Sequence, residues 1–325
     1  MQRWEDPAQI PDGFGPSVVT LGNFDGVHRG HRGVLTTVLQ QARARGAHAV
    51  AVTFDPHPVA VLHPERAPEL ITTAEHRAQL LEDCGLDALL TMEFTRELAS
   101  WTPEEFVSRV FVERLGAVAV VVGADTRFGV RNSGDVSTLR RLGTVYGFDV
   151  VVLEDLADAG EGRRRWSSST ARRDIVAGDV EAAAAVLGRP HRVSGEVVHG
   201  DHRGRELGYP TANLAQDAAG LIPADGVYAG WLVRLDLSAD DPERTLPAAI
   251  SVGTNPTFQG TQRRVEAYVL DRTDLELYGE QVALELVHRL RATEKYDSID
   301  ALLAQMEQDV EQCRQLLHTV VPPAG

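Results

Sequence analysis

Two histidines, His28 and His31, close the run Gly22-Asn-Phe-Asp-Gly-Val-His-Arg-Gly-His31. The run follows a short apolar stretch, Ser17–Leu21, and opens a segment with helical periodicity. A helix start carries unpaired N–H groups and the positive end of the helix dipole, so it attracts anions. Imidazoles three residues apart share one face there and add donors aimed at phosphate oxygens. Gly30 is expected to let a nucleotide approach the backbone. Ser167-Ser-Ser-Thr-Ala-Arg172 also opens a helical pattern, and hydroxyls with a guanidinium at such a start can hold a leaving pyrophosphate. Two further runs end strand-like segments: Thr53-Phe-Asp-Pro-His-Pro58, where flanking prolines stiffen His57, and Gly123-Ala-Asp-Thr-Arg-Phe-Gly129.

The second half carries a different set. Gly195-Glu-Val-Val-His-Gly200 leads to Gly204-Arg-Glu-Leu-Gly208 and then to Tyr209-Pro-Thr-Ala-Asn213. Gly200, Gly204 and Gly208 make a loop able to cover phosphates with backbone N–H groups. Thr211 and Asn213 offer hard oxygens on one side of an extended segment, which suits magnesium bridged to phosphate. Glu266 shares a strand face with Arg264 and Tyr268 and is a candidate for a positioned base.

These residues need elements to hold them. In the first half, apolar runs at Ser17–Leu21, Ala49–Phe54, Ala88–Phe94, Ala117–Val122 and Val150–Leu153 alternate with helical stretches. Thr72 with Glu75, and Thr102 with Pro103 and Glu105, predict capping boxes; Gly85 and Gly116 predict helix stops. The alternation predicts a doubly wound α/β domain around a parallel sheet, with ligands beyond the carboxyl ends of its strands. The pattern changes near Leu187. Strand-like segments follow at Arg192–His199, Val227–Leu237, Pro247–Val252, Arg263–Leu270 and Val282–Leu290, which predicts a small antiparallel β-barrel. In the last of these, Val282, Leu284, Leu286, His288 and Leu290 are expected on one face. A C-terminal helix follows, with Ile299, Leu302, Leu303, Met306, Val310, Cys313 and Leu317 as an apolar stripe for the barrel. Two domains are expected, 1–187 and 188–325.

Composition excludes several classes. The chain has 325 residues, 32 basic and 47 acidic, and a net charge of -15. That is the wrong sign for a partner held by phosphate neutralisation, so no nucleic acid is expected. Lys295 is the one lysine, which excludes a P-loop. No apolar run approaches the ~20 residues that span a bilayer, and the polar start has no signal-peptide character. A cytoplasmic protein without a membrane partner is expected, with self-association left open. Cys84 and Cys313 lie far apart with no CxxC, which supports neither a disulfide nor a zinc framework.

Taken together, the motifs resemble the bifunctional riboflavin kinase/FMN adenylyltransferase family, the prokaryotic FAD synthetases. The resemblance covers nearly the whole chain and rests on GNFDGVHRGH, TFDPHP, GADTRFG, SSSTARR, GRELGYPTAN, VGTNPTF, RRVEAYVLD and RATEKY in that order. It implies an N-terminal nucleotidylyltransferase domain and a C-terminal six-stranded barrel that is the kinase. The implied reactions are riboflavin plus ATP to FMN, then FMN plus ATP to FAD and pyrophosphate, both with Mg2+. In adenylyl transfer, His28 and His31 would contact ATP phosphates. Gly22, Phe24, Asp25, Gly30, Asp125, Ser168, Ser169 and Arg172 would line the ATP site, with His57 and Phe128 on the flavin side. In the kinase, Gly200, Gly204, Thr211 and Asn213 would bind ATP, and Thr211 and Asn213 the magnesium. Glu266 would be the general base for the ribityl 5′-hydroxyl, with Asn255 and Arg291 on the flavin side. Thr126 departs from a usual phenylalanine, and Ser169 from a threonine. A class I aminoacyl-tRNA synthetase also uses an HxGH-type helix start, but pairs it with a lysine-rich loop that this chain lacks. A flavin-holding protein with degenerate motifs is opposed by the intact histidines, the hydroxyl cluster and Glu266.

Overall fold

The computed structural model describes residues 1–154, 165–200, 208–257 and 260–322, without the side chains of 255–257 and 260–262. The chain forms two compact units, Met1–Ser167 and Ser168–Gly325.

In the first unit, β1 (Gln2–Trp4), β2 (Ser17–Leu21), β3 (His48–Asp55), β4 (Ala88–Glu93), β5 (Ala117–Gly123) and β6 (Asp149–Leu153) make one parallel sheet. Their order is β1-β4-β3-β2-β5-β6. The helices are α1 (Arg29–Arg45), α2 (Pro58–Leu62), α3 (Ala74–Asp83), α4 (Pro103–Phe106, continued by π-helical turns over Val107–Arg114) and α5 (Val136–Tyr146). Strand β2 shows why these strands are apolar throughout. Val18 joins Leu35, Val38 and Leu81 on one face, while Val19 joins Val110, Phe111 and Leu139 on the other. Both faces are covered, as a parallel sheet requires. Strand β1 is an addition to the sequence reading, since three residues in a polar stretch carry no periodic signal; it pairs with β4 and buries Trp4. From β2 the chain builds outward through β3 and β4, then crosses to β5. The order therefore reverses beside β2, a switch point for ligands.

Helix starts follow the sequence reading at α4 and depart from it at α3. Thr102 and Glu105 form the capping box. At α3 the cap is Thr73, whose hydroxyl accepts from the His76 N–H at 3.0 Å. Thr72 is used elsewhere, and Glu75 instead meets Arg3 at 2.7 Å.

The second unit opens with α6 (Ser168–Ala177) and α7 (Val180–Leu187). A closed antiparallel barrel comes next, built from β7 (His191–Val198), β8 (Ala212–Leu214), β9 (Gly226–Arg234), β10 (Thr245–Thr257), β11 (Gly260–Val269) and β12 (Gln281–Arg291) in the order β10-β11-β8-β7-β12-β9. Its interior holds Val193, Leu232, Ile250, Val265 and Leu284, and Val180 of α7 packs into the same cluster. Both helices thus belong with the barrel. In β12, Val282, Leu284 and Leu286 face the interior as expected, but register shifts after Leu286 and Arg289 end the alternation. A bulge re-aims the side chains beyond it. Val287 and Leu290 join an outer cluster, and His288 meets Glu181 at 3.0 Å. That outer cluster lies under α8 (Ile299–His318) and centres on Trp231, Cys313 and Leu317. Ile299, at the start of the expected stripe, is 64% exposed. Among the described residues no helix is long and apolar enough to cross a membrane.

Candidate functional site

Between β2 and α1 the chain turns through a left-handed stretch: φ is 50° at Phe24, 80° at Gly26 and 37° at Val27. Such a conformation is sterically costly for a β-branched residue and persists only where its surroundings over-determine it. Here they do. Phe24 and Val27 are core residues packed with Val18 and Leu35. The buried Asp25 carboxylate accepts from the backbone N–H groups of Ile71 and Thr72 at 3.0 and 3.2 Å. It also accepts from the Thr72 hydroxyl at 3.3 Å, and the Gly26 N–H donates to that hydroxyl at 3.1 Å. Gly22 leaves room for the Phe24 ring, which a Cβ would approach to 3.1 Å.

His28 caps α1, its Nδ1 accepting from the His31 N–H at 3.2 Å. In the neutral ring this bond puts the proton on Nε2. The two imidazoles stack at 3.6 Å, with Phe24 edge-on to His31 at 5.2 Å. His31 Nδ1 is buried without a hydrogen-bond partner among the described residues. Burial, reinforced by the neighbouring His28, pushes the His31 imidazolium well below the ordinary histidine range. Gly30 has a different reason from the one expected. A Cβ there would stand 2.8 Å from the Trp166 carbonyl and 3.0 Å from the His28 ring, so the close approach of these groups itself requires glycine.

His57 caps α2, accepting from the Val59 N–H at 3.2 Å, and its Nε2 lies 3.1 Å from the Asn23 amide nitrogen. The loops after β2 and β3 are thereby joined. Arg77 of α3, 2% exposed, donates to the Phe54 carbonyl at 3.4 Å and stands 3.6 Å from the Asp55 carboxylate. Burial lowers its pKa, and Asp55 and Asp25 oppose the shift. Asp125 is exposed and meets Arg165 at 2.6 Å. Phe128 is a core ring packed against Phe106. Ser168, Ser169 and Arg172 occupy the first turns of α6, in the second unit. Sequence reasoning missed Asn23, Thr72 and Arg77. The available signal was Arg77 itself, a charge spaced three and four residues from Leu80 and Leu81 on the buried stripe of α3.

In the second unit, β8 and β11 pair so that Asn213 and Glu266 face each other directly. Cross-strand partners share one face with Cβ atoms about 4.5–5.5 Å apart. Glu266 alternates with the buried Val265 and Ala267, so its half-buried side chain stands on the outer surface of the barrel. The Asn213 amide donates to the Thr211 carbonyl and hydroxyl, both at 3.2 Å. A Cβ on Gly200 would lie 2.7 Å from the Asn213 amide. Gly200, Thr211, Asn213 and Glu266 therefore converge. Gly204 and the side chain of Asn255 lie outside the described residues. The Arg291 guanidinium binds Asp309 of α8 through Nε at 2.9 Å and Nη2 at 2.6 Å, with Gln305 adding a bond to Asp309 at 3.0 Å. Among the described residues no group of three or more His, Cys, Asp or Glu side chains could hold a metal ion.

Comparison with known proteins matches both units. Residues 12–169 fit the FAD synthetase family and residues 187–317 the riboflavin kinase family. The bifunctional riboflavin kinase/FMN adenylyltransferase of Escherichia coli is 33% identical over 305 residues, covering 94% of each chain. That of Pseudomonas fluorescens is 34% identical over 300 residues, covering 92% of each. A crystal structure from Streptococcus pneumoniae, described as a macrolide-efflux protein, superposes with a TM-score of 0.83 at 31% identity, covering 96% of this chain and 98% of that one.

Proposed function

The chain belongs to the bifunctional riboflavin kinase/FMN adenylyltransferase family, and from that membership we propose which residues carry its two reactions. It holds an FAD synthetase domain and a riboflavin kinase domain, and its activities are those of a riboflavin kinase and an FMN adenylyltransferase. Riboflavin, FMN and ATP are its substrates.

The kinase reading rests on the pairing of Asn213 with Glu266. Glu266 takes the proton from the ribityl 5′-hydroxyl as that oxygen attacks the γ-phosphate of ATP and ADP leaves. Thr211 and Asn213 are neutral oxygen donors without a carboxylate cluster beside them among the described residues. Such a pair fits Mg2+ that arrives already bound to ATP, whose phosphates supply the negative charge. Bound there, the ion would neutralise charge on those phosphates. Gly200 and Gly204 serve the ATP side. Asn255 and Arg291 serve the flavin side, Arg291 through its anchor on Asp309.

In adenylyl transfer, an FMN phosphate oxygen attacks the α-phosphate of ATP and pyrophosphate leaves. His28 offers Nε2–H at the positive end of α1, and the stacked, neutral His31 keeps that ring in place. Gly22, Phe24, Asp25 and Gly30 build the turn that aims the pair. Ser168, Ser169 and Arg172 hold the pyrophosphate, and Asp125 lines the ATP side. His57 serves the flavin, with Phe128 supporting its neighbourhood from the core. We assign the kinase to 188–325 and place the enzyme, as a consumer of ATP, in the cytoplasm. The test is turnover of riboflavin and ATP by the full chain, with and without a magnesium chelator, resolving FMN from FAD. FMN should form first and FAD after it, both stopping on chelation. Continued FMN formation under chelation would remove the magnesium role of Thr211 and Asn213.

A further inference from the structure

We infer that Ile71–Arg77 is the positioning element of adenylyl transfer, with Thr72 and Arg77 as its positioning residues. This rests on the assignment of that reaction to the turn carrying His28 and His31.

His28 and His57 stand on two loops that leave neighbouring strands, β2 and β3. Beyond the strand ends, Leu21 and Asp55, no ladder fixes them. The loop after β2 is left-handed at Phe24, Gly26 and Val27, immediately before His28. Gly22 and Asn23 bond back to Val52 and Thr53 of β3, while the left-handed part of the turn is held by Ile71 and Thr72, through the Asp25 carboxylate and the Gly26 N–H. The end of β3, from which the second loop leaves, is met at Phe54 and Asp55 by Arg77, two residues before His57. Residues 71–77 thus hold both loops at once, and the Asn23–His57 contact joins the loops to each other.

The chemistry of Arg77 is what a merely structural role leaves unexplained. It lies on the buried stripe of α3 with Leu80 and Leu81, where an apolar residue would pack without desolvating a charge. The guanidinium instead meets the Phe54 carbonyl and the Asp55 carboxylate at the end of β3, and the Asp25 charge of the other loop also favours its charged form. A planar cation with several fixed donors sets the separation of the groups around it, which an apolar side chain cannot do. Transfer between two bound phosphates depends on such separations, and misplacement by about 1 Å costs on the order of 10²-fold in rate.

The experiment uses the full chain with Arg77→Met, Arg77→Lys, Thr72→Val and Thr72→Ser. FAD formation from supplied FMN is measured, and FMN formation from riboflavin in the same sample reports the kinase unit. Arg77→Met should lower kcat for FAD formation by ~10–100-fold while the KM values for ATP and FMN move less than about threefold. Arg77→Lys should recover most of the loss. Thr72→Val should cost ~10-fold, and Thr72→Ser should restore the rate. Wild-type kcat in Arg77→Met overturns the proposal, as does a loss confined to KM or a lysine variant no better than methionine. If Arg77→Met does not fold, Thr72→Val decides, since it removes one hydroxyl at constant volume; wild-type kcat there overturns the proposal equally. His28→Ala separates the two failures. If it keeps FAD formation, the site assignment falls and the clamp with it. If it abolishes FAD formation while the clamp variants keep kcat, only the clamp falls.

Discussion

The first unit hangs its histidines on turns at the ends of parallel strands, whereas the barrel sets Asn213 and Glu266 opposite each other in an antiparallel ladder. The two solutions distribute stability differently. A ladder position is fixed by the same hydrogen bonds that close the barrel, so a side chain on it needs little local support. A left-handed turn at Phe24 and Val27 has no such support and must be held from outside, by Ile71 and Thr72. The chemistry differs in parallel. On the proposed assignment, one carboxylate serves the kinase, while several donors share the charge of adenylyl transfer.

The largest effects should reflect that division. Glu266→Gln keeps the ladder and the shape but cannot accept the 5′-hydroxyl proton, so FMN formation should fall ~10²–10⁴-fold. FAD formation from supplied FMN should stay within about twofold. His28→Ala and His31→Ala should do the converse. Each should lower FAD formation ~10²–10³-fold, the first by removing a preorganised donor and the second by releasing the ring that presents it, with FMN formation kept. Product-resolved kinetics on the three variants checks both halves. Equal loss of both activities in any folded variant would break the comparison, because it would mean one shared site.

Most of the fold was legible in the sequence because burial on both faces writes apolar runs and burial on one face writes alternation. The motifs were legible as well. Long-range use of a short-range signal was not. Thr72 followed by Glu75 has the form of a capping box, yet the hydroxyl reaches a turn 46 residues away and Thr73 caps the helix. The β12 pattern reads cleanly through Leu286, then fails because a bulge is a property of the pairing and not of one strand. The opposition of Asn213 and Glu266 depends on register, which neither strand specifies alone. The boundary shows the same effect: α6 and α7 precede the change of pattern at Leu187 but belong to the barrel unit, where Val180 joins the interior cluster.

That packing sharpens the comparison by asking whether the ladder is self-sufficient. Val180, Val186 and Leu187 of α7 are fully buried. Burial of each such side chain contributes about 1.5–3 kcal/mol, which a fragment without α7 forgoes. A fragment of residues 168–325 should therefore fold and phosphorylate riboflavin. A fragment of 188–325 should melt roughly 8 °C lower or more, since a domain of this size loses a few degrees per kcal/mol. Calorimetry of the two fragments decides. Equal melting temperatures would show that the barrel needs neither helix.

The smallest effect separates the units by pH. Burial holds the His31 pKa well below its unfolded value of about 6.5, so near that pH the unfolded chain binds a proton that the folded one refuses. This contribution is complete above pH ~6.5 and is lost as pH falls through that range, at no more than about 1.4 kcal/mol per pH unit. In the barrel unit, burial pushes the Cys313 thiol up to about 12, the opposite direction. The unfolded thiol ionises first, so this contribution is present below pH ~8.5 and is lost as pH rises from there toward the folded value. Denaturant midpoints of the full chain across pH 5 to 10 should therefore fall at both ends. His31→Gln should flatten the acid limb only, and Cys313→Ala the alkaline limb only. An acid limb unchanged by His31→Gln would mean that the stacked pair carries its proton in the folded state, and the neutral donor assigned to His28 and its partner would have to be withdrawn.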